Sequence, residues 1–288
     1  MTMDIITNID EMQQRCLAAR AQGKRLAFVP TMGYLHEGHL SLLRAARDAG
    51  DILVLSIFVN PTQFGVGEDF DSYPRDLDRD AEMACSVGTD WLFAPRASAM
   101  YPKGYATWVD VEGLTGNLCG ASRPGHFRGV TTVVCKLFGI VQPHVAFFGQ
   151  KDFQQLAVIR RMSADLNLPV EVRGLPIVRE ADGLAMSSRN VNLSPAQRRQ
   201  ALALFAGIRL AAAQVAAGER DSRRVLAAVR ERIQQEPEAT VDYIQICHDE
   251  TLTDLETIDR HALLLLAVRV GTTRLIDNHH LGEEIPES

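Results

Sequence analysis

An open, doubly wound α/β sheet followed by a smaller α+β domain is the architecture this sequence predicts, and three observations carry the prediction. Short apolar runs bounded by Gly, Pro or polar residues alternate with helix-period segments from about residue 9 to residue 172. Those runs are apolar throughout, as in Leu26-Ala27-Phe28-Val29, where a strand exposed on one face would alternate. Past Pro176 the style changes to two helices and then strands. A chain of 288 residues also exceeds the usual ~100–200 residues of one domain. The division falls as residues 1–177 and 178–288.

The elements follow in order. A helical lead from Ile9 to Gln22 stops at Gly23, and Leu26 to Val29 then forms a buried strand ended by Pro30. After the loop Thr31 to Gly38, a helix opens at His39, with Leu40, Leu43 and Ala46 on one face and Gly50 closing it. Ile52 to Val59 is the next strand. An acidic helix over Asp76 to Val87 follows, then a strand at Trp91 to Phe93 and a helix over Val130 to Ile140. His144 to Phe148 forms a strand, Asp152 to Asp165 a helix and Val170 to Val172 a strand. In such sheets ligands bind beyond the carboxyl ends of the strands, so the loops after Val29, Val59 and Phe148 share one crevice. In the second part Ser194-Pro195-Ala196-Gln197 reads as a helix start, with Ser as cap, Pro at the first position and Gln three residues after the cap. One long helix runs on to Ala217, another follows Asp221, and strands lie at Val241 to Ile246 and Leu263 to Val270.

Composition excludes several classes of function. With 46% hydrophobic and 23% charged residues the chain has no segment polar enough for disorder. Its net charge of −6, without a basic run, argues against nucleic acid as partner. The longest strongly apolar run, Ala262 to Val268, is far below the ~18 residues of a membrane span. The five cysteines, Cys16, Cys85, Cys119, Cys135 and Cys247, are odd in number and never form C-x-x-C, which predicts free thiols in a reducing compartment. The start MTMDIITNIDEMQQR lacks a basic segment followed by an apolar one, so a cytoplasmic location is expected.

Three loops carry chemistry. Thr31-Met32-Gly33-Tyr34-Leu35-His36-Glu37-Gly38-His39 joins the first strand to the first helix, where amide N–H groups and the helix dipole favour phosphate. Its two imidazoles can donate to charge developing on a phosphoryl group. Zinc is a rival reading, but His36 and His39 are spaced i and i+3, whereas H-E-x-x-H needs i and i+4. A bare H-x-G-H also fits two ordinary histidines of a strand-to-helix loop. The second loop, Phe148-Gly149-Gln150-Lys151-Asp152-Phe153-Gln154-Gln155, holds one of only four lysines, placed to meet a phosphate as a point charge. There Gly149 permits close backbone approach, and Asp152 reads equally as a helix cap. The third, Arg179 to Asn190, offers Ser187, Ser188 and Arg189 to polyphosphate oxygens, although read alone it is a solvated linker. No G-x-x-x-x-G-K-[ST] segment occurs, and no G-x-G-x-x-G follows a strand, so ATP binding would be of another kind. Paired histidines with a distant Met186-Ser187-Ser188-Arg189 segment match the solution of nucleotidylyl-transferring enzymes.

With these segments in view, the chain resembles the pantothenate synthetase (pantoate–β-alanine ligase) family over essentially its whole length. The matching stretches are Val29 to Gly33 and on to His39, Ser56 to Phe64, Tyr73-Pro74-Arg75, Ser122 to Val130, Gly149 to Gln155, and Gly183 to Asn190. The resemblance implies a Rossmann-like nucleotide- and pantoate-binding domain with a HIGH-type motif, a C-terminal lid domain and a homodimer. It implies condensation of (R)-pantoate with β-alanine through a pantoyl adenylate, with ATP as co-substrate and Mg²⁺ held mainly by its phosphates. It assigns His39, His36, Lys151 and Arg189 to catalysis. ATP contacts are implied for Met32, Gly33, Tyr34, Leu35, His36, Glu37, Gly38 and His39, for Gly149, Gln150, Lys151 and Asp152, for the Val178 backbone, and for Met186, Ser187, Ser188 and Arg189. Gln63 and Gln155 match the pantoate-binding glutamines, with Gln63 also near β-alanine, and Phe58, Val133 and Val134 match the wall of the gem-dimethyl pocket. No residue is assigned as a metal ligand. Asp80 lies near a carboxylate of some members, but Arg79 stands at a position that can be acidic elsewhere in the family.

Overall fold

The computed structural model describes residues 3–285, and its chain divides into two compact units. One comprises the chain up to Gln150 together with Gln155–Pro176; the other comprises Lys151–Gln154 together with the chain from Ile177 on.

In the first unit six strands form one sheet: β1 (Asp4–Ile6), β2 (Leu26–Thr31), β3 (Ile52–Ile57), β4 (Trp91–Phe93), β5 (Val145–Gly149) and β6 (Glu171–Leu175). Their spatial order is β1-β4-β3-β2-β5-β6, and every pairing is parallel. The helices are α1 (Ile9–Ala21), α2 (Glu37–Ala49), α3 (Leu77–Ser86), the short α4 (Ala97–Met100) and α5 (Leu118–Ser122), α6 (His126–Val141) and, from Gln155 on, α7 (Phe153–Asp165). Alternate strand residues serve opposite faces. Ala27, Val29, Leu53 and Leu55 join Leu42, Leu43 and Ala46 of α2 in one buried cluster. Phe28, the intervening residue, meets Phe138 of α6 edge-on at a centroid distance of 6.4 Å. Both faces are therefore apolar, which is why these strands read as unbroken hydrophobic runs. The order reverses at β2, flanked by β3 and β5, so a topological switch point lies beside the end of β2.

Several boundaries differ from the sequence reading. Strand β2 runs through Pro30 to Thr31, because β5 pairs with it only at Ala27 and Phe28 and the missing N–H of Pro30 breaks no ladder there. Strand β3 stops at Ile57, short of Val59, and β6 is displaced toward Leu175. Helix α6 starts four residues before Val130, behind the left-handed Gly125 (φ +82°). Strand β1 was not expected: three residues carry no periodicity, and the strand exists through its pairing with the distant β4.

The second unit contains α8 (Pro195–Gln200), α9 (Leu202–Ala216) and α10 (Ser222–Gln234), with strands β7 (Ala239–His248), β8 (Ala262–Val270) and β9 (Thr273–His280). The strands form an antiparallel sheet with β8 central. Leu204, Ile208, Val225, Val229, Leu264, Leu266 and Val268 belong to one buried core. The predicted single helix to Ala217 is interrupted at Ala201, where Leu204 N donates to the Ala201 carbonyl in an i+3 slip. Strand β9 escaped the sequence reading because buried Asp277 and Asn278 break its apolar pattern.

Candidate active site

Strand β2 delivers the chain into Met32-Gly33-Tyr34-Leu35, and α2 begins at Glu37 with His36 as its cap. The turn uses two successive left-handed residues, Gly33 (φ +84°) and Tyr34 (φ +52°). A Cβ on Gly33 would lie 2.9 Å from Ile57 Cγ2, so glycine is required by space and by conformation. Asp80, on α3 and only 1% exposed, holds this turn: Tyr34 N donates to its Oδ2 at 2.6 Å and Leu35 N to its Oδ1 at 2.7 Å. Burial pushes the Asp80 carboxyl above its ordinary pKa, against the pull of the two amides and Arg79. Arg79 completes the clamp, donating to the Leu35 carbonyl at 3.0 Å with its guanidinium 4.9 Å from the Tyr34 ring centroid.

The two imidazoles lie together, with centroids 4.1 Å apart and planes tilted by 39°. His36 N donates to His39 Nδ1 at 3.3 Å, the place a Glu or Gln takes in an ordinary capping box. An Nδ1 that accepts cannot carry the proton, so neutral His39 holds its hydrogen on Nε2. Glu37 turns along the helix to an ion pair with Arg44, away from any H-E-x-x-H role. Both histidines thus stand at the N-terminus of a 13-residue helix, where they and the first-turn amides favour an anion.

The loop after β3 lies beside this one. Gln63, 8% exposed, receives Asn60 Nδ2 on its Oε1 at 3.0 Å and directs its Nε2 to Met32 Sδ at 3.2 Å. Asn60 also donates to the Gly129 carbonyl at 3.1 Å and receives the Tyr101 hydroxyl at 2.8 Å. Behind Gln63, His126 Nδ1 donates to its carbonyl at 2.9 Å, which leaves His126 Nε2 to accept from Arg123 NH1 at 3.0 Å. Arg123 then grips Glu68 with two bonds of 2.7 and 2.6 Å. Burial alone would push the Glu68 carboxyl up, yet Arg123 and the Gly65 amide bring it down to about 2. Phe58, Val133 and Val134 are buried. These properties suit an apolar wall and a protein core equally.

The third loop begins at Gly149, where an added Cβ would meet no protein atom within 4 Å; the glycine answers no packing need of the chain itself. Gln150 to Asp152 form a 3-10 turn before α7, whose first turn includes half-buried Gln155. Gln150 and Gln155 belong to the first unit and Lys151 and Asp152 to the second. Lys151 Nζ lies 3.5 Å from Asp152 Oδ2, and its carbonyl receives Asn278 Nδ2 at 2.9 Å.

The segment from Val178 to Arg189, all in the second unit, is not a solvated linker. Arg179 and Ala185 bridge antiparallel, Glu180 N donates to the Leu184 carbonyl, Met186 N donates to the Val178 carbonyl at 2.9 Å, and Leu184 and Ala185 are buried. Arg179, 11% exposed, binds Asp277 of β9, 1% exposed, through two bonds of 2.7 and 2.9 Å. Ser187 caps a 3-10 turn over Ser188–Asn192 by accepting from Arg189 N at 3.3 Å, and Ser188 is buried.

Sequence reasoning singled out the histidines and the three loops, and the resemblance Gln63, but neither gave a role to Asp80, Asn60, Arg123, His126 or Glu68. Asn60 carried a local signal, a cap residue followed by Pro61 at the first helical position. Asp80 and Arg123 act across the fold and carried none.

Comparison with known proteins adds the family context. A model described as pantoate-beta-alanine ligase matches residues 4–280. A pantothenate synthetase of Syntrophotalea carbinolica is 65% identical, the match covering 98% of this chain and 100% of the relative; one of Geotalea daltonii is 59% identical with the same coverage. Among solved structures, pantothenate synthetase from Thermus thermophilus superposes with a TM-score of 0.92 at 46% identity, covering 97% of this chain and 99% of that one. A pantoate-beta-alanine ligase from Francisella tularensis, complexed with beta-gamma ATP and beta-alanine, gives 0.82 at 31% identity, covering 98% and 99%.

Proposed function

We infer the function from one premise: the chain belongs to the pantoate–β-alanine ligase family. The protein is an ATP-dependent ligase that joins pantoate to β-alanine to give pantothenate. The proposed course has two steps. A carboxylate oxygen of (R)-pantoate attacks the α-phosphorus of ATP, the α–β bridging P–O bond breaks, and pyrophosphate leaves. The amine of β-alanine then attacks the carbonyl of the pantoyl adenylate, AMP leaves with the oxygen, and the nitrogen loses a proton as the amide forms. Adenylation replaces oxide by a far better leaving group.

The observation that carries the proposed roles is the contact of the His36 amide with His39 Nδ1, which presents Nε2–H as a donor at the start of α2. His39 is the stabiliser of charge on the phosphates, with His36 beside it. Residues Met32 to Leu35, Glu37 and Gly38 supply the surrounding ATP site, Gly149 and Gln150 extend it, and Lys151 and Asp152 are proposed for the same ligand. For Val178, Met186, Ser187, Ser188 and Arg189 the proposed roles, adenine contact and phosphate binding, rest on the family resemblance. Gln63 and Gln155 bind pantoate, since an amide both donates and accepts and so suits hydroxyls and a carboxylate alike. Phe58, Val133 and Val134 face its methyl groups. We further propose the division into a nucleotide- and pantoate-binding domain over 1–177 and a lid domain over 178–288, a homodimer, and a cytoplasmic location, the last in keeping with five free cysteines. Among the described residues no helix is long and apolar enough to cross a membrane.

Magnesium is proposed as part of the ATP substrate. Both oxygens of Asp80 already receive backbone amides, and among the described residues no group of three ligand side chains forms at the H-x-G-H loop. The donors present therefore fit a cation carried by phosphates and water better than a protein-held one.

ATP–pyrophosphate exchange with pantoate and without β-alanine tests the reading. Exchange that depends on pantoate and falls about 100- to 1,000-fold in His39→Ala is expected. Exchange that needs no acid, or that survives the substitution undiminished, would overturn the roles.

A further inference from the structure

We propose that one end of the three-stranded sheet in the second unit binds a first-row transition dication of the zinc class, held by His248, Asp249 and His261 with His280 as fourth donor. The backbone brings these residues together. His248 ends β7 and pairs in register with Ala262, the first residue of β8, while Asp249 N donates to the His261 carbonyl at 3.0 Å. His280 ends β9 opposite Leu263. Four residues from three strand ends thus share one corner.

Their donor atoms already stand close to ligand spacing. Asp249 Oδ1 lies 3.3 Å from His248 Nδ1 and 3.2 Å from His261 Nδ1. A tetrahedral zinc ion with bonds of about 2.0–2.2 Å sets its ligand atoms roughly 3.3–3.5 Å apart. The three donors lie within 4.8 Å of one another, and His280 Nδ1 stands beside them, 4.0 Å from the second Asp249 oxygen. The His248 and His261 rings stack at 4.5 Å with 12° between their planes, so their in-plane lone pairs run nearly parallel and one ring must rotate about its Cβ–Cγ bond to meet a shared ion. Two or three imidazoles with one carboxylate select the zinc class over magnesium or calcium, which require oxygen shells. Among the described residues no other group of three His, Cys, Asp or Glu side chains meets this spacing.

Besides the hydrogen bond between His261 Nδ1 and Asp249 Oδ1, two existing contacts must give way. Glu250 N donates to His248 Nδ1 at 3.2 Å, and Arg260 Nε donates to His261 Nε2 at 3.0 Å. Glu250 and Arg260 are exposed, so water can replace both partners. Metal on His261 Nδ1 transfers the ring proton to Nε2, and Arg260 then turns outward. The bound ion would tie the ends of β7, β8 and β9 together, stabilising the folded unit by RT ln(1 + [Zn²⁺]/Kd).

The full chain, stripped with chelator, is titrated with Zn²⁺ by calorimetry and with Co²⁺ by visible absorption, using Mg²⁺ as control. One equivalent of zinc per chain, a tetrahedral cobalt band, a zinc-dependent rise in melting temperature and no heat from Mg²⁺ are expected. Loss of one outer-shell partner costs a metal site 10- to 100-fold, so removing two direct ligands in H248Q/H261Q should weaken zinc about 100-fold or more. D249N, which removes the shared carboxylate, should also weaken zinc while retaining ligase activity as proof of folding. Absence of zinc uptake by the parent chain would overturn the proposal. So would uptake unchanged in both variants, which would place the ion elsewhere, as on His36 and His39.

Discussion

Asp80 and Tyr34 lie 46 positions apart, yet the α3 carboxylate fixes the conformation of the loop after β2. Replacing it by alanine removes the acceptor of two amides, one of them in fully buried Leu35, which should cost about 1–3 kcal/mol of stability. Urea denaturation of D80A measures that cost, and exchange kinetics should show an activity loss beyond it; a variant with both unchanged would remove Asp80 from this role. Glu68 supplies a pH-dependent counterpart. Its folded pKa of about 2 lies below its ordinary 4.5, so it contributes stability that is fully present above about 4.5 and is lost as pH falls toward about 2. Thermal melts of E68Q should therefore show a flatter acid limb than the parent over that interval. At this scale local chemistry was legible and tertiary chemistry was not. The spacing of His36 and His39 is readable because both lie on one helical turn, whereas nothing near Asp80 or Arg123 in the sequence names Tyr34 or Gln63 as a partner.

Helix α6 and the turn Pro61–Gln63 make contact through glycine. A Cβ on Gly129 would press on the Thr62 carbonyl and lie 2.7 Å from Gln63 Cα, and both obstacles are backbone. Gly129→Ala should separate the helix from the turn, costing about 1–3 kcal/mol and raising the KM for pantoate more than that for ATP. Denaturation together with steady-state kinetics checks both parts; an unchanged KM ratio would show that the turn does not position Gln63 for pantoate. Helices with an amphipathic period and strands apolar on both faces were legible here. Elements defined by pairing, such as β1, or by buried polar anchors, such as β9 with Asp277, were not. The segment around Arg179 shows the limit well. Its polar sequence reads as solvated, yet a buried ion pair and a left-handed Gly183 (φ +95°) packed on Phe205 order it. Breaking that pair by Asp277→Ala would strand the Arg179 charge and should destabilise the protein by about 3–5 kcal/mol, measurable by the same denaturation.

At the scale of the molecule, the alternation of strand and helix predicted the parallel sheet, and the change past Pro176 predicted a second architecture; the spatial order of the strands had no local signal. The proposed homodimer is checked by sedimentation equilibrium, which should return twice the 31.8 kDa of one chain. A single-chain mass at micromolar concentration would overturn it. That strand order also sets a timetable for biosynthesis. Strand β2 can find β3 while the chain is still short, but its other neighbour does not exist until the ribosome has made Val145 to Gly149. For much of translation the future centre of the sheet is a naked edge, a state in which nascent chains depend on chaperones or stick to one another.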